Sequence, residues 1–414
     1  MSVRRKNAVD RVWLSLAMAF LVFAFASGAQ TNIAEAASPS RWVKDFWPTA
    51  KAAGVSRKTY DAALGNFKPD PTVLEKASNQ AEFNLEVWEY LDNTVTEKRV
   101  AEGQELLKNH ARLLKQIESR YGVDRHIVVA IWGMESSYGA VLDNQNIVKS
   151  TIRSLATLAY QGGRRAKFGR QQLIAALKIL DQGDISVSGM KGSWAGAMGH
   201  TQFIPTTYAG YAVDFDGDGR RNIWTSHADA LASTANYLDK MGWQDGQTWG
   251  YEVTLPRGYN YRAAAKNGAR TLAQWRKAGV QRANGKGFPR PGDKATLYAP
   301  AGTEGPAFLA IKNFSVIKRY NNANTYALAV GHLADRLHGY DPFQGKWPRS
   351  EEPLSDSQKT RLQELLAARG YYSGDIDGNI GSGSRAAISA YRQAVGLSDD
   401  DGLQKILELL QAGR

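Results

Sequence analysis

RHIVVAIWGMESSYG, Arg125 to Gly139, is an apolar run that carries a single glutamate near its end. Read as a helix, it places Ile131 and Trp132 one turn before Glu135 on the same face. Burial against such groups raises a carboxyl pKa and keeps it protonated near neutrality, as a general acid requires. Asp124 stands where it can cap the helix, and Gly139 where it can stop it. The same glutamate can equally be paired with an arginine or turned to solvent. Glycosidase chemistry ordinarily also asks for a second carboxylate, so the segment raises the question of what stands in for one.

A second constellation sharpens the reading. KGSWAGAMGHTQFIPTTY, Lys191 to Tyr208, is a string of small residues holding a few polar ones. Small residues let backbone approach a ligand closely. Ser193 and Gln202 offer neutral hydrogen bonds, and Trp194, Phe203 and Tyr208 offer flat faces. That mixture suits a sugar, with its apolar ring faces and many hydroxyls. Helix packing also favours Gly and Ala, but it does not require Ser193 or Gln202.

Outward from these two stretches the pattern is mainly helical. KASNQAEFNLEVWEYLDN and AEGQELLKNHARLLKQIESRYG repeat apolar residues at helical spacing. In the second, Leu106, His110, Leu113, Leu114, Ile117 and Tyr121 share one face. TIRSLATLAYQ, GRQQLIAALKILDQG and HADALASTANYLDKMGW predict further helices. Between residues 250 and 316, YEVTL, ATLYAP and FLAIKNF predict short strands. DPFQGKWPRSEEP, Asp341 to Pro353, is charged and proline-rich and ends the core. Beyond it, residues 354–414 carry three helical segments.

Composition bounds the setting. The chain has 414 residues, 43% hydrophobic and 22% charged, which is ordinary for a globular protein with a sizeable core. Residues 1–36 predict a secretory signal peptide. A basic start precedes the apolar stretch Val12 to Ala26, and Ala34 to Ala36 fit a cleavage site. No later segment has the roughly 20 apolar residues a membrane span needs, so no integral membrane segment is expected after cleavage. There are no cysteines, which excludes a thiol nucleophile, cysteine metal sites, disulfides and a cysteine-linked lipid anchor. The formal net charge is +12. Such a charge favours polyanions, and for an exported chain an acidic envelope polymer is the expected partner. No nucleic-acid motif is present. The histidines show no metal-ligand spacing of the H-E-x-x-H kind, which argues against a zinc peptidase.

IWGMESSYG, SLATLAYQGGRRAKF, GSWAGAMGHTQFIPTTYAGYAVDFDGDG, ANYLDKMGW and YNNANTYALAVGHLADRL together resemble the membrane-bound lytic murein transglycosylase B family, glycoside hydrolase family 103. The resemblance covers about residues 40–340. LQELLAARGYYSGDIDGNIGSGSRAAISAYRQAVGL resembles the small three-helix peptidoglycan-binding domain. The implied fold class is mainly α (α+β): a lysozyme-like helical catalytic domain with a small β-containing subdomain, followed by that binding domain. The implied organisation is signal peptide 1–36, catalytic domain 37–345, linker 346–353 and binding domain 354–414.

The resemblance also implies roles. Glu135 matches the family's single acid/base. Ser193 and Gln202 match residues that contact glycan and support it, with Phe203 beside them. Tyr90 matches an active-site tyrosine, Tyr237 a sugar-contacting tyrosine, and Tyr320, Asn321 and Tyr326 match a cluster closing the cleft. Arg164 and Arg165 match an arginine pair near the groove. Phe168 stands where the family often has tyrosine, so it keeps stacking and loses a hydroxyl. The implied reaction cleaves the MurNAc–GlcNAc bond of peptidoglycan strands without a second carboxylate and leaves a 1,6-anhydro end. A hydrolytic muramidase and a non-catalytic wall-binding protein are the alternatives. Export implies a soluble periplasmic protein associated with the cell wall.

DFDGDGRRNIW places Asp214, Asp216 and Asp218 at positions 1, 3 and 5 of an EF-hand loop. Gly219 is at position 6, and Arg220 offers its carbonyl at position 7. Position 12 is Thr225, not glutamate. The resemblance implies that Asp229 supplies the last carboxylate and that the cofactor is structural calcium, with no organic cofactor. DIDGNIG, Asp375 to Gly381, has Ile380 at its sixth position and reads as a turn.

Overall fold

The computed structural model describes residues 38–413 except 79–84, 145–146, 261–263, 265–267, 303, 350–352 and 399–400. The predicted signal peptide, residues 1–36, lies outside the described residues.

Four apolar cores organise the chain. The first is built by α4 (Val87–Thr94), α5 (Glu97–Asn109), α6 (Ala111–Tyr121), α7 (Arg125–Ser136), α11 (His227–Lys240), α13 (Lys312–Tyr320) and α14 (Asn324–Leu337). The second gathers α1 (Pro39–Ala52), α2 (Arg57–Leu64), α8 (Thr151–Gln161), α9 (Ala166–Gln182) and α10 (Pro205–Tyr211). α3 (Pro71–Ser78) packs on α8. A two-stranded ribbon, β1 (Lys149–Ser150) with β2 (Lys191–Gly192), is antiparallel and pairs Lys149 with Gly192.

The third core lies under an antiparallel five-stranded sheet in the order β4-β6-β7-β3-β5. Its strands are β3 (Gly250–Thr254), β4 (Arg270–Thr271), β5 (Gln281–Arg282), β6 (Lys294–Tyr298) and β7 (Ala307–Ala310), with α12 (Leu272–Lys277) against them. Tyr251, Val253, Leu297 and Leu309 are buried there with Trp275. The fourth core is the C-terminal unit of α15 (Asp356–Ala368), α16 (Ser382–Val395) and α17 (Leu403–Gln411), closed around Leu362, Tyr391 and Ile406. The mainly helical, lysozyme-like fold with a small sheet and a three-helix C-terminal domain is therefore the fold of this chain.

Three sequence expectations shift in detail. The segment read as one helix through His110 is two: His110 takes non-helical φ −105°, ψ 19° between α5 and α6. Its ring packs edge-on to Trp132 and His227, with centroids 6.1 and 5.1 Å away, so tertiary contact overrides the local pattern. FLAIKNF is strand only to Ala310, after which α13 begins at Lys312. There the buried Asn313 amide donates to the carbonyls of Gln244 and Gln247 at 2.9 and 2.8 Å. Finally, α7 ends at Ser136 rather than at Gly139, because Ser137 and Tyr138 turn left-handed with φ 47° and 57°.

The C-terminal unit touches the main body. Lys359 Nζ donates to the Asp92 carbonyl at 2.8 Å, and Asn144 Nδ2 to Asp375 Oδ2 at 2.8 Å. Arg349, after the last turn of the main body, pairs with the Asp92 carboxylate.

Candidate active site

Asp124 caps α7 by accepting from the His126 backbone N–H at 2.7 Å. Ile127 to Gly133 are buried, so the helix is threaded through the first core and presents Glu135 at its far end. Tyr326, at the start of α14, donates its hydroxyl to Glu135 Oε1 at 2.5 Å. Desolvation raises the Glu135 carboxyl to about 7, against the Tyr326 hydrogen bond, which lowers it. No carboxylate among the described residues contributes to that shift. A carboxyl so placed is part acid and part base near neutrality, which suits general acid–base work.

The turn after Glu135 is held from several sides. The Tyr138 hydroxyl donates to the Arg99 carbonyl at 2.9 Å, and Arg99 reaches Ser137 Oγ at 3.2 Å. A Cβ on Gly133 would lie 2.7 Å from the Tyr138 ring, and one on Gly139 2.5 Å from the His200 ring, so neither position has room for a side chain. Left-handed non-glycine backbone costs about 1–3 kcal/mol per residue. Ser137, Tyr138 and Gln202 (φ 51°) are the described non-glycine residues with positive φ, and two of them lie two and three positions after Glu135.

The 193–203 loop packs against the end of α7. Ser136 Oγ donates to the His200 carbonyl at 3.1 Å, and Trp132 Nε1 donates to His200 Nδ1 at 3.0 Å. Burial and His227 push His200 down to about 4, which keeps it neutral and able to accept. The Tyr320 hydroxyl donates to the Thr201 carbonyl at 2.7 Å. The loop is thus fastened to both α7 and α13. Within it, Ser193 Oγ accepts from the N–H groups of Ala195 and Ala197 at 3.3 and 3.1 Å, and Gln202 Nε2 donates to the Gly199 carbonyl at 2.9 Å. Neither side chain hydrogen-bonds Glu135.

An aromatic cluster lies beside the loop. Phe203 is buried, with its ring 5.7 Å from both Tyr237 and Tyr320, and those two rings are 5.2 Å apart. Tyr237 donates to the Arg319 carbonyl. The negative charge of Glu135 acts on Tyr90, Tyr320 and Tyr326, raising each hydroxyl pKa further above the value burial gives it. Glu135, Tyr90, Tyr320 and Tyr326 are therefore one constellation. Asn321 is exposed where α13 ends. Arg165 lies over the Trp194 ring at 5.0 Å, Arg164 is exposed beside it, and Phe168 packs on the second core. None of these four residues contributes to the shift at Glu135.

Arg99, Ser136, Tyr138, His200 and the Thr201 carbonyl are parts of the site that the sequence reading did not single out. The doubled serine and flanking glycines of GMESSYG carried the signal, since such a string after an apolar helix marks a constrained turn.

A second cluster lies in the 214–229 segment. Carboxylate oxygens of Asp214, Asp216, Asp218 and Asp229 come within 4.8 Å of one another. Asp214 accepts from the N–H groups of Gly217 and Gly219 at 2.7 and 2.9 Å, which folds the loop back on itself. Asp229, fully buried in the first turn of α11, accepts from Phe215 and Asn222 N–H groups at 2.7 Å each. Arg220 is in the loop, its N–H on Asp218 Oδ1 at 2.8 Å. Four carboxylates converging without a cationic side chain among their hydrogen-bond partners fit a hard divalent cation.

Residues 38–335 match the Transglycosylase SLT domain family, and residues 355–403 a peptidoglycan binding domain. The chain is 30% identical over 298 residues to Membrane-bound lytic murein transglycosylase B of Escherichia coli (strain K12), covering 69% of this chain and 79% of that one. The crystal structure of SltB3 from Pseudomonas aeruginosa in complex with NAG-anhNAM-pentapeptide is 49% identical. It covers 91% of this chain and 100% of its own, with a TM-score of 0.72. The Escherichia coli lytic transglycosylase Slt35 in complex with calcium is 28% identical, covering 73% of this chain and 93% of its own, with a TM-score of 0.59. A chain that matches this family over most of its length, and has a half-buried glutamate at the end of its central helix, belongs to the lytic murein transglycosylases: it is a peptidoglycan lytic transglycosylase with a C-terminal peptidoglycan-binding domain.

Proposed function

We propose that Glu135 alone performs both proton transfers of the reaction and that the product is a 1,6-anhydro-MurNAc end. Protonated Glu135 gives its proton to the glycosidic oxygen as the bond from MurNAc C1 breaks. The N-acetyl carbonyl of the substrate relieves the positive charge at C1. Glu135, now a carboxylate, takes the proton of the MurNAc C6 hydroxyl, whose oxygen attacks C1 and closes the ring. An attached hydroxyl has a high effective concentration, so no activated water is required. The observation that carries this reading is the isolation of Glu135: its shift comes from desolvation and Tyr326, and no second carboxylate among the described residues contributes to it. The SltB3 complex with an anhydro ligand supports the same product.

In this reading Tyr326 sets the balance between the two forms of Glu135. Ser193, Gln202, Tyr90, Tyr237 and Tyr320 line the glycan path with Asn321, while Phe203 stiffens the tyrosines from behind. Arg164, Arg165 and Phe168 serve the outer groove. Because Glu135 must begin protonated, kcat/KM falls as pH rises through about 7. Tyr326→Phe removes the hydrogen bond that lowers the carboxyl pKa. The alkaline limb should move to higher pH by up to about one unit, and kcat should fall roughly 10- to 100-fold. A limb that stays in place or moves to lower pH would count against the role given to Tyr326.

Asp214, Asp216, Asp218 and Asp229, with the Arg220 carbonyl, would hold a structural calcium ion bracing the loop before α11. A ligand that binds only the folded state adds about 2.7 kcal/mol at a hundred times its Kd, so calcium should raise Tm by a few degrees. Asp214→Ala with Asp218→Ala should abolish the rise. Identical melting of the wild type in calcium and in chelator would remove the ion from the account.

The chain acts outside the cytoplasm, on the wall, with its catalytic part before residue 346 and residues 354–414 holding it there. Ending the chain after Trp347, which packs on the first core and lies 6.0 Å from the Trp88 ring, should leave cleavage of soluble fragments. Retention on whole wall should fall at least tenfold, because linked modules gain effective concentration. Equal retention with and without residues 354–414 would contradict this role. The muramidase alternative differs in its product. The non-catalytic alternative is at odds with the protonatable Glu135.

A further inference from the structure

We infer that Asp124, His126 and His338 form a binding site for a zinc-class transition-metal ion at the end of the α7–α14 pair remote from Glu135. The two helices pack along each other. At one end Tyr326 of α14 reaches Glu135 of α7. At the other, His338, just past α14, reaches Asp124 and His126 at the start of α7. With a rise of about 1.5 Å per residue, the two ends are about 16 Å apart, so this ion is not part of the chemistry at Glu135.

The geometry is that of a site ready to close. Asp124 Oδ1 takes the His126 backbone N–H at 2.7 Å and meets His126 Nδ1 at 2.8 Å. Asp124 Oδ2 points to His338 Nε2 at 3.6 Å. Two ligands of a tetrahedral ion with bonds of about 2.0 Å stand about 3.3 Å apart, so this pair needs only a small closure. The imidazoles of His126 and His338 stack with centroids 3.6 Å apart. One ligand atom from each of the three residues lies within 4.8 Å of the others. All three residues line a cavity of about 1220 Å³, which also holds Asp335 and leaves room for a water as fourth ligand.

Ligand chemistry selects the metal. Two imidazoles and one carboxylate favour zinc, nickel or copper, whereas calcium and magnesium prefer oxygen alone. The all-carboxylate cluster around Asp214 is the opposite case, so the two sites separate by ion. Bound metal would pin the remote ends of the helices whose near ends carry the Tyr326–Glu135 bond.

The test is zinc retention by the full-length protein. After incubation with zinc chloride and dialysis, elemental analysis should give one zinc per chain. Zinc should also raise Tm in a calcium-saturated sample. His126→Ala with His338→Ala keeps the Asp124 cap, and it should lose both the bound zinc and the zinc-dependent Tm rise while keeping its response to calcium. Asp214→Ala with Asp218→Ala should keep the zinc. Cobalt in place of zinc gives a reading on the unmutated protein: visible absorption of a tetrahedral centre supports the site. No retained zinc in the wild type, or equal retention in the double histidine variant, overturns it.

Discussion

Glu135→Gln should reduce turnover on purified peptidoglycan to background, a loss of at least three orders of magnitude. Glutamine keeps the size of the side chain, and its amide oxygen still accepts from Tyr326, so the constellation around α7 has no reason to rearrange. What it lacks is a proton to give. General acid–base catalysis contributes about 10²–10⁴-fold, and here one group is assigned both transfers, so both are lost together. Folding provides the control. A carboxyl whose folded pKa is raised to about 7 binds its proton more tightly in the native state than in the unfolded one. Its contribution to stability is complete at low pH and is lost as pH rises through about 7. The variant has no such group. Its Tm at pH 8 should equal or exceed that of the wild type, and it should still bind glycan. Near-normal turnover in Glu135→Gln would end the assignment, and a collapsed Tm would show that the glutamate is structural.

The helical class, the order of the units and the capped helix that ends in Glu135 were legible because each rests on local pattern. Asp124 before an apolar run is a cap in sequence and in structure alike. What local pattern could not supply is partner choice. Nothing between residues 97 and 121 marks His110 as a break, since its reason is the Trp132 and His227 rings, brought in from elsewhere in the chain. Strands β4 and β5 are two residues each, below the length at which alternation can be read.

The site divides the same way. GMESSYG exposed Glu135, but its hydroxyl partner is 191 residues away, and Tyr326 entered the reading through family resemblance and not through spacing. The small residues of Lys191 to Tyr208 were legible as a segment that lets backbone approach closely. The consequence was not: Ser193 and Gln202 bond within their own loop, while the links to α7 run through the His200 carbonyl and ring. A backbone carbonyl leaves no mark in sequence. Arg99 and Tyr138 are similar, for they hold the turn after Glu135 through partners distant in sequence, the Arg99 guanidinium on Ser137 Oγ and the Tyr138 hydroxyl on the Arg99 carbonyl.

The most direct test of the account is the identity of the new end made at each cut. If Glu135 works alone and the C6 hydroxyl replaces water, each cleavage leaves a 1,6-anhydro-MurNAc end. Hydrolysis would instead leave a reducing MurNAc, heavier by one water, about 18 mass units, because only the intramolecular route keeps water out of the product. Digestion of purified wall in oxygen-18 water, followed by mass analysis, reads both differences at once. The account predicts anhydro ends that carry no label as the main product. Reducing ends labelled at C1 as the main product would mean that an activated water attacks, and the hydrolytic reading would replace this one.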